Sequence, residues 1–195
     1  MGRIVVSENI SLDGVIQDPT GDEGFAFGGW FQQMSDDDRS VWAEVEYQEA
    51  LNTAAWLIGR GTYAWFATRW ADRPGEWADR LRAVPKYVVS STLDRATEWA
   101  NSSVLKGDVV EEVAALKERV DGDIVVYSSR RLVRTLLQHD LVDEVRLMTY
   151  PFVLGAGERL FGEAAGTTAL RRVAVRPIGE SIVLLTYAPV SGRAA

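Results

Sequence analysis

The feature that most constrains this chain is a set of short apolar runs that do not alternate with polar residues. Ala54–Ile58 closes at Gly59, Tyr87–Val89 closes at Ser90-Ser91, and Ile124–Tyr127 closes at Ser128-Ser129. A strand exposed on one face would alternate apolar and polar residues. A continuous apolar run needs cover on both faces, which is the habit of parallel strands flanked by helices. Stretches of helical spacing stand between these runs. A helix is expected from near Asp37 to near Asn52, opened by Ser35 and by acids suited to the positive end of a helix dipole. Asp108–Val120 repeats Val109, Val113, Leu116 and Val120 at helical intervals, with Gly122 just beyond. Ser128-Ser129 opens a third helix carrying Leu132, Val133, Leu136 and Leu137.

Three further segments complete the sheet. Arg3–Ile10 is rich in β-branched residues and ends at Asp13-Gly14; Val145–Phe152 reads as another strand. Leu170–Arg176 and Ser181–Ala188 read as an antiparallel hairpin turning at Pro177-Ile178-Gly179. The expected fold is therefore α/β: three layers, with a mixed, mostly parallel central sheet and a C-terminal antiparallel hairpin. With 195 residues and no linker or repeat, one domain over 1–190 is expected, followed by a frayed tail at 191–195. A loop from Gln17 to Gly29 combines five glycines and prolines with Phe25 and Phe27, and Trp30 and Phe31 follow. Such a loop covers a pocket, the core or a partner subunit.

Composition excludes several chemistries. There is no cysteine and a single histidine, His139, so thiolate metal sites, multi-imidazole zinc sites and Cys–His nucleophile pairs are ruled out. No metal site is expected. His139 follows an apolar helix and reads as a C-terminal or surface residue. A net charge of −7 argues against nucleic acid as a partner. The apolar run near the start is strand-like rather than a leader, and no stretch of about 18 apolar residues occurs. No membrane segment is expected, and the cytoplasm is the default location. Gly155-Ala156-Gly157 starts like a dinucleotide fingerprint, but Leu160 occupies the third glycine position, so a glycine turn is the better reading.

In open α/β sheets ligands bind beyond the carboxyl ends of the strands. The segments found there are Ser11-Leu12-Asp13-Gly14, Gly59-Arg60-Gly61-Thr62-Tyr63, Ser90-Ser91-Thr92-Leu93 and Ser128-Ser129-Arg130-Arg131-Leu132. Hydroxyls, glycines and three arginines gathered at one edge suit a phosphate-bearing ligand. Each segment alone is also an ordinary turn or helix cap; their shared position favours a site.

These motifs, with Trp99 and Asn101, Leu141-Val142-Asp143-Glu144, and Pro151-x-x-Leu154-Gly155-x-Gly157-x-x-Leu160-Phe161, occur in one order. Over nearly its whole length the chain resembles the reductase domain at the C-terminus of the bifunctional riboflavin-biosynthesis enzyme RibD. It is most similar to stand-alone members of that group, which share the dihydrofolate-reductase fold. The resemblance implies NADPH as cofactor, a homodimer, and reduction of a small pteridine- or pyrimidine-like heterocycle such as 5-amino-6-(5-phosphoribosylamino)uracil. It implies that Ile10 lies near the nicotinamide, and that Gly59, Arg60 and Thr62 meet the phosphates. Ser90 and Ser91 would lie by the adenosine ribose and its 2′-phosphate. Ser128, Ser129, Arg130, Arg131 and Leu132 would cradle the pyrophosphate, and Tyr127 would approach the substrate. The family favours glycine where this chain has Ser128 and Ser129, and serine has poorer access to positive φ.

The reaction needs little more than orientation and a proton. Asp13 and Glu46 are the candidate acids, with Glu49 beside Glu46 on the same helix. Asp13 also fits a Leu-Asp-Gly turn whose aspartate stabilises the backbone. Two other readings stay open: a nucleotide- or flavin-binding protein without catalysis, and a dimeric interaction module built on the aromatic loop.

Overall fold

The computed structural model describes residues 1–162 and 167–190; the tail expected to fray at 191–195 lies outside them. The strands are β1 (Arg3–Ser11), β2 (Thr53–Gly59), β3 (Lys86–Val89), β4 (Ser102–Leu105), β5 (Asp123–Tyr127), β6 (Glu144–Tyr150), β7 (Leu170–Ile178) and β8 (Ile182–Pro189). The helices are α1 (Asp36–Asn52), α2 (Arg60–Trp70), α3 (Glu76–Ala83), α4 (Val109–Arg119) and α5 (Arg130–Gln138). One mixed sheet has the order β4-β3-β2-β5-β1-β6-β8-β7. The chain forms two compact units: Met1–Val6 with Tyr47–Asp143, and Ser7–Glu46 with Glu144–Ala195. No helix among the described residues is long and apolar enough to cross a membrane.

In the first unit β4, β3, β2 and β5 are all paired in parallel. Two of the unalternating runs pack on both sides, with Trp56, Leu57 and Ile58 in β2 and Ile124, Val125 and Val126 in β5 buried; in β3 Val88 is buried while Tyr87 and Val89 are half-buried. Trp56 anchors an aromatic cluster, meeting Tyr127 edge-on at 4.9 Å, Phe66 at 5.1 Å and Trp99 at 5.4 Å. Cations satisfy three helix C-termini, where carbonyls lack intrahelical donors. Arg80 donates to the carbonyls of Ala50, Leu51 and Thr53 at the end of α1. Arg82 donates to those of Trp70, Ala71 and Arg73 after α2. Buried Lys86 donates to those of Leu81, Arg82 and Val84 after α3. At the other end of a helix, the Asp108 carboxylate caps α4 by accepting from the Val110 and Glu111 N–H groups.

In the second unit β6, β8 and β7 are antiparallel. Trp30, Met148, Tyr150, Ile178 and Ile182 form its core, with Trp30 edge-on to Tyr150 at 5.0 Å. The Asn9 side-chain oxygen accepts from Tyr150 Oη at 2.9 Å and Trp42 Nε1 at 3.2 Å. Asp38, in the first turn of α1, pins the hairpin turn by accepting from the Glu180 and Ser181 N–H groups and the Ser181 hydroxyl. Gly179 has φ 59° there, and a Cβ on it would sit 2.8 Å from Asp38 Cα, so only glycine fits.

Several expectations need correction. The sixth strand stops at Tyr150 rather than Phe152, because Pro151 has no N–H for the ladder. Pro177 and Ile178 lie inside β7, so the hairpin turns later, at Gly179–Ser181. The strand β4 and the helices α2 and α3 were not read from the sequence at all. The loop at 17–29 leads into the core, one of the three roles open to it. Asp18 organises it by accepting from the Glu23 and Phe25 N–H groups, while Trp30 is buried in the core. His139 lies exposed at the C-cap of α5, as expected.

Candidate functional site

The carboxyl ends of β2 and β5 are joined by one side chain. Ser129 Oγ accepts from the Gly59 N–H at 2.9 Å and donates to Thr62 Oγ1 at 2.9 Å. The turn after β5 and the start of α2 are thereby held together. Ser128 and Ser129 both have positive φ, 49° and 55°. The backbone takes the left-handed path that glycine would take, at a cost of order 1 kcal/mol per residue. At Ser129 the two hydroxyl bonds offset that cost. Ser128 is exposed and carries the strain without them. Ser128→Gly is expected to stabilise the protein by about 1 kcal/mol in denaturant unfolding; an unchanged midpoint would argue that the strain is absent.

Charge at the helix starts sorts the helices into two groups. The first turns of α1, α3 and α4 carry Asp36, Asp37 and Asp38; Glu76 and Asp79; and Glu111 and Glu112. The first turns of α2 and α5 carry no acid and open instead on Arg60 and on Arg130-Arg131. Cations at the positive end of a helix dipole are unfavourable unless an anion joins them. The two helices that break the pattern are the two whose starts Ser129 ties together.

A cleft of about 370 Å3 opens beside Arg60, lined also by Ser90, Ser91, Thr92, Lys106 and Gly107. Arg60 donates to Thr92 Oγ1 at 2.8 Å, which fixes the guanidinium over the turn after β3. Ser90 is nearly buried, and its hydroxyl accepts from the Thr92 and Leu93 N–H groups. It shapes the turn, leaving Ser91 and Thr92 as the exposed hydroxyls. Lys106 was missed because β4 was missed: Ser102-Ser103-Val104-Leu105 is too polar and short to read as a strand. The signal available was the placement of Lys106-Gly107 directly before the Asp108 helix cap.

Tyr127, at the end of β5, donates to Glu49 Oε2 at 2.6 Å. The structure thus pairs the substrate candidate with the acid that the sequence ranked behind Glu46. Leu132 is buried in the first turn of α5 and offers only backbone to a ligand.

In the second unit Ile10 is buried near the end of β1. Asp13 is a backbone clasp. Its carboxylate accepts from Ser11 Oγ at 2.7 Å, Gly155 N–H at 2.8 Å and Leu154 N–H at 3.1 Å, with Arg159 alongside at 3.5 Å. The Ser11 hydroxyl bond, followed by the two backbone bonds, lowers its pKa to about 2. A carboxyl so held carries no proton near neutrality. The geometry of Asp13 favours the turn-stabilising reading over the proton-donor one. Glu46 is half-buried in α1; with burial, its charge raises the Tyr150 phenol. Gly155 and Gly157 both have positive φ, in keeping with a glycine turn. Among the described residues no group of three or more acids or histidines could hold a metal.

The model of the RibD C-terminal domain matches residues 3–184. The chain belongs to the RibD C-terminal domain family. Its curated relative YyaP of Bacillus subtilis, a protein without an assigned function, is 35% identical over 103 residues. That match covers 52% of this chain and about half, 53%, of YyaP. Among solved structures, the Thermotoga maritima diaminohydroxyphosphoribosylaminopyrimidine deaminase/5-amino-6-(5-phosphoribosylamino)uracil reductase is similar with TM-score 0.62 and 18% identity. The similarity covers 97% of this chain and 57% of that one. Dihydrofolate reductase from Enterococcus faecalis, complexed with NADP(H), is similar with TM-score 0.57 and 15% identity over 96% of each chain. The dihydrofolate-reductase-like α/β fold expected for a RibD C-terminal domain is present.

Proposed function

We propose that this RibD C-terminal domain is an NADPH-dependent reductase of a small pteridine- or pyrimidine-like heterocycle. The observation that carries the reading is the pair of acid-free, arginine-opened helix starts, α2 and α5, tied together by Ser129. Two helix dipoles and their arginines suit the pyrophosphate of a dinucleotide. The cleft beside Arg60 extends the same edge with exposed hydroxyls and a second cation, fitting the phosphate-bearing ribose of NADPH.

Bound there, the cofactor supplies a hydride. The remaining work falls to this chain. Arg60, Arg130 and Arg131 neutralise phosphate charge, and the left-handed backbone at Ser128-Ser129 keeps the approach to α5 open. Tyr127 and Glu49 handle the proton. The phenol donates to the Glu49 carboxylate, and the pair holds a proton where a ring nitrogen of the substrate would receive it. Serines in place of glycine after β5 would favour a binding protein without turnover, but both follow the backbone path of glycine, which supports the reductase reading. A cytoplasmic homodimer of a single domain completes the proposal.

NADPH at about one hundred times its Kd should stabilise the protein by about 2.7 kcal/mol in a thermal titration. Arg60→Gln should weaken binding about tenfold. A melting temperature unmoved by millimolar NADPH would overturn the reading.

A further inference from the structure

Asn9 lies near the carboxyl end of β1 and is half-buried. Its side-chain oxygen accepts from the Tyr150 hydroxyl at 2.9 Å and from Trp42 Nε1 at 3.2 Å. An indole nitrogen can only donate, so the atom facing Trp42 is the oxygen and the carboxamide has one orientation. The phenol acts in the same sense. Burial, and then the charge of Glu46, raise its pKa far above the ordinary value, so it keeps its proton. Both donors are themselves clamped. Trp30 and Phe31 pack against Tyr150 with ring centres 5.0 and 5.2 Å away, and Phe31 packs on Trp42 at 5.4 Å. The aromatic pair that follows the glycine loop thus holds an amide rigid through its two partners.

What is held rigid is also the other end of that amide. Among the described residues the Asn9 carboxamide nitrogen donates to nothing, and it is not sealed from solvent. The polar side chains that follow on the same strand and turn are already paired. The Ser11 hydroxyl serves Asp13 and the Val15 N–H, and Asp13 serves the Leu154 and Gly155 N–H groups. An aspartate at position 9 would accept from Trp42 and Tyr150 more strongly than an amide does. Asparagine differs in turning two N–H bonds outward. We infer that Asn9 is a specificity-determining residue: its carboxamide donates to a carbonyl oxygen of the substrate ring and rejects a ring with an amino group in that place. This rests on the heterocycle reading above and adds a residue and a rule to it. A donor fixed beforehand loses little rotamer freedom on binding. A ligand N–H set against it leaves two donors unsatisfied.

Calorimetric titration of the full chain with pteridine-2,4-dione and pteridine-2,4-diamine tests the rule, because the two rings share one shape and carry opposite hydrogen-bonding groups. The wild type should bind the dione about tenfold more tightly. Asn9→Asp keeps an acceptor for Trp42 and Tyr150 and turns an acceptor outward in place of the donor. Its melting temperature should stay close to the wild type's, and its preference should reverse toward the diamine. A purely structural Asn9 predicts the wild-type preference in Asn9→Asp, and that result overturns the inference while the heterocycle reading stands. A wild type that binds the diamine as tightly as the dione overturns it as well, whether or not the variant folds. If neither ring binds the wild type, the heterocycle reading falls and the inference with it, and the NADPH titration above separately decides the cofactor.

Discussion

Asp13→Ala should lower stability by about 2–3 kcal/mol, the size expected when a charged acceptor leaves partly buried donors unpaired. The Leu154 and Gly155 N–H groups lose their acceptor, as does the Ser11 hydroxyl, and Arg159 loses the carboxylate while keeping the main-chain carbonyl of residue 13. The segment after β6 then loses this clasp and is held to the end of β1 by backbone bonds such as that from Leu12 N–H to the Phe152 carbonyl. The effect has a pH signature. The folded pKa, about 2, lies below the ordinary 3.8, so the stabilisation is fully present above about pH 4 and drains away as pH falls toward 2. Urea unfolding of wild type and Asp13→Asn at pH 7 and pH 2.5 measures it: a gap at pH 7 that narrows at pH 2.5 is expected. A proton donor would behave otherwise. Its asparagine variant would keep its stability at both values and lose turnover alone.

Lys86→Met should be the more damaging change, by about 3 kcal/mol or more. The residue is 1% exposed, and its ammonium donates to three carbonyls at the C-terminal end of α3 and sits 4.3 Å from the centre of the Trp99 ring. Burial brings its pKa down to about 8, which still leaves it charged at neutral pH. Methionine fills a similar volume but donates nothing, so the Leu81 and Val84 carbonyls lose their side-chain donor, while the Arg82 carbonyl keeps the Asn101 amide. The cation–π contact goes as well. The measurement is again the unfolding midpoint. Lys86→Arg, which keeps the charge but not the shape, should recover only part of the loss.

These residues show why some of the protein is legible in sequence and some is not. The buried strands β2 and β5 announce themselves, because a run such as Ala55-Trp56-Leu57-Ile58 has no solvent face to offer. The helix α4 does the same through its spacing and its Asp108 cap. By contrast β4 is edge-placed and short, with Ser102-Ser103 at its start, and nothing local distinguishes it from a turn. Helix α2 is hidden by its glycine and aromatics, Gly61, Tyr63, Trp65 and Phe66, which favour no helix by propensity. Tertiary packing of Tyr63 and Ala67 decides it.

The candidate site divides along the same line. Arginines at the starts of α2 and α5 can be read from the chain once the strands are placed. The hydroxyl bridge from Ser129 to Gly59 and Thr62 joins residues about seventy positions apart, and only the fold reveals it. Lys86 looks like an ordinary surface lysine in sequence. Its burial follows from three helix-end carbonyls that need a donor, a demand set by packing. Glu49 and Glu46 are one helical turn apart, and nothing local in the sequence favours Glu49. The Tyr127 hydroxyl distinguishes them.

The central claim is that α2 and α5 together form the anion site of a nicotinamide cofactor. A crystal structure of the protein soaked with NADPH tests it most directly. The account predicts pyrophosphate density between Gly59–Thr62 and Ser128–Leu132, with the ribose phosphate between Arg60 and Lys106. Cofactor density elsewhere, or none at millimolar NADPH with both helix starts unobstructed in the lattice, would contradict it.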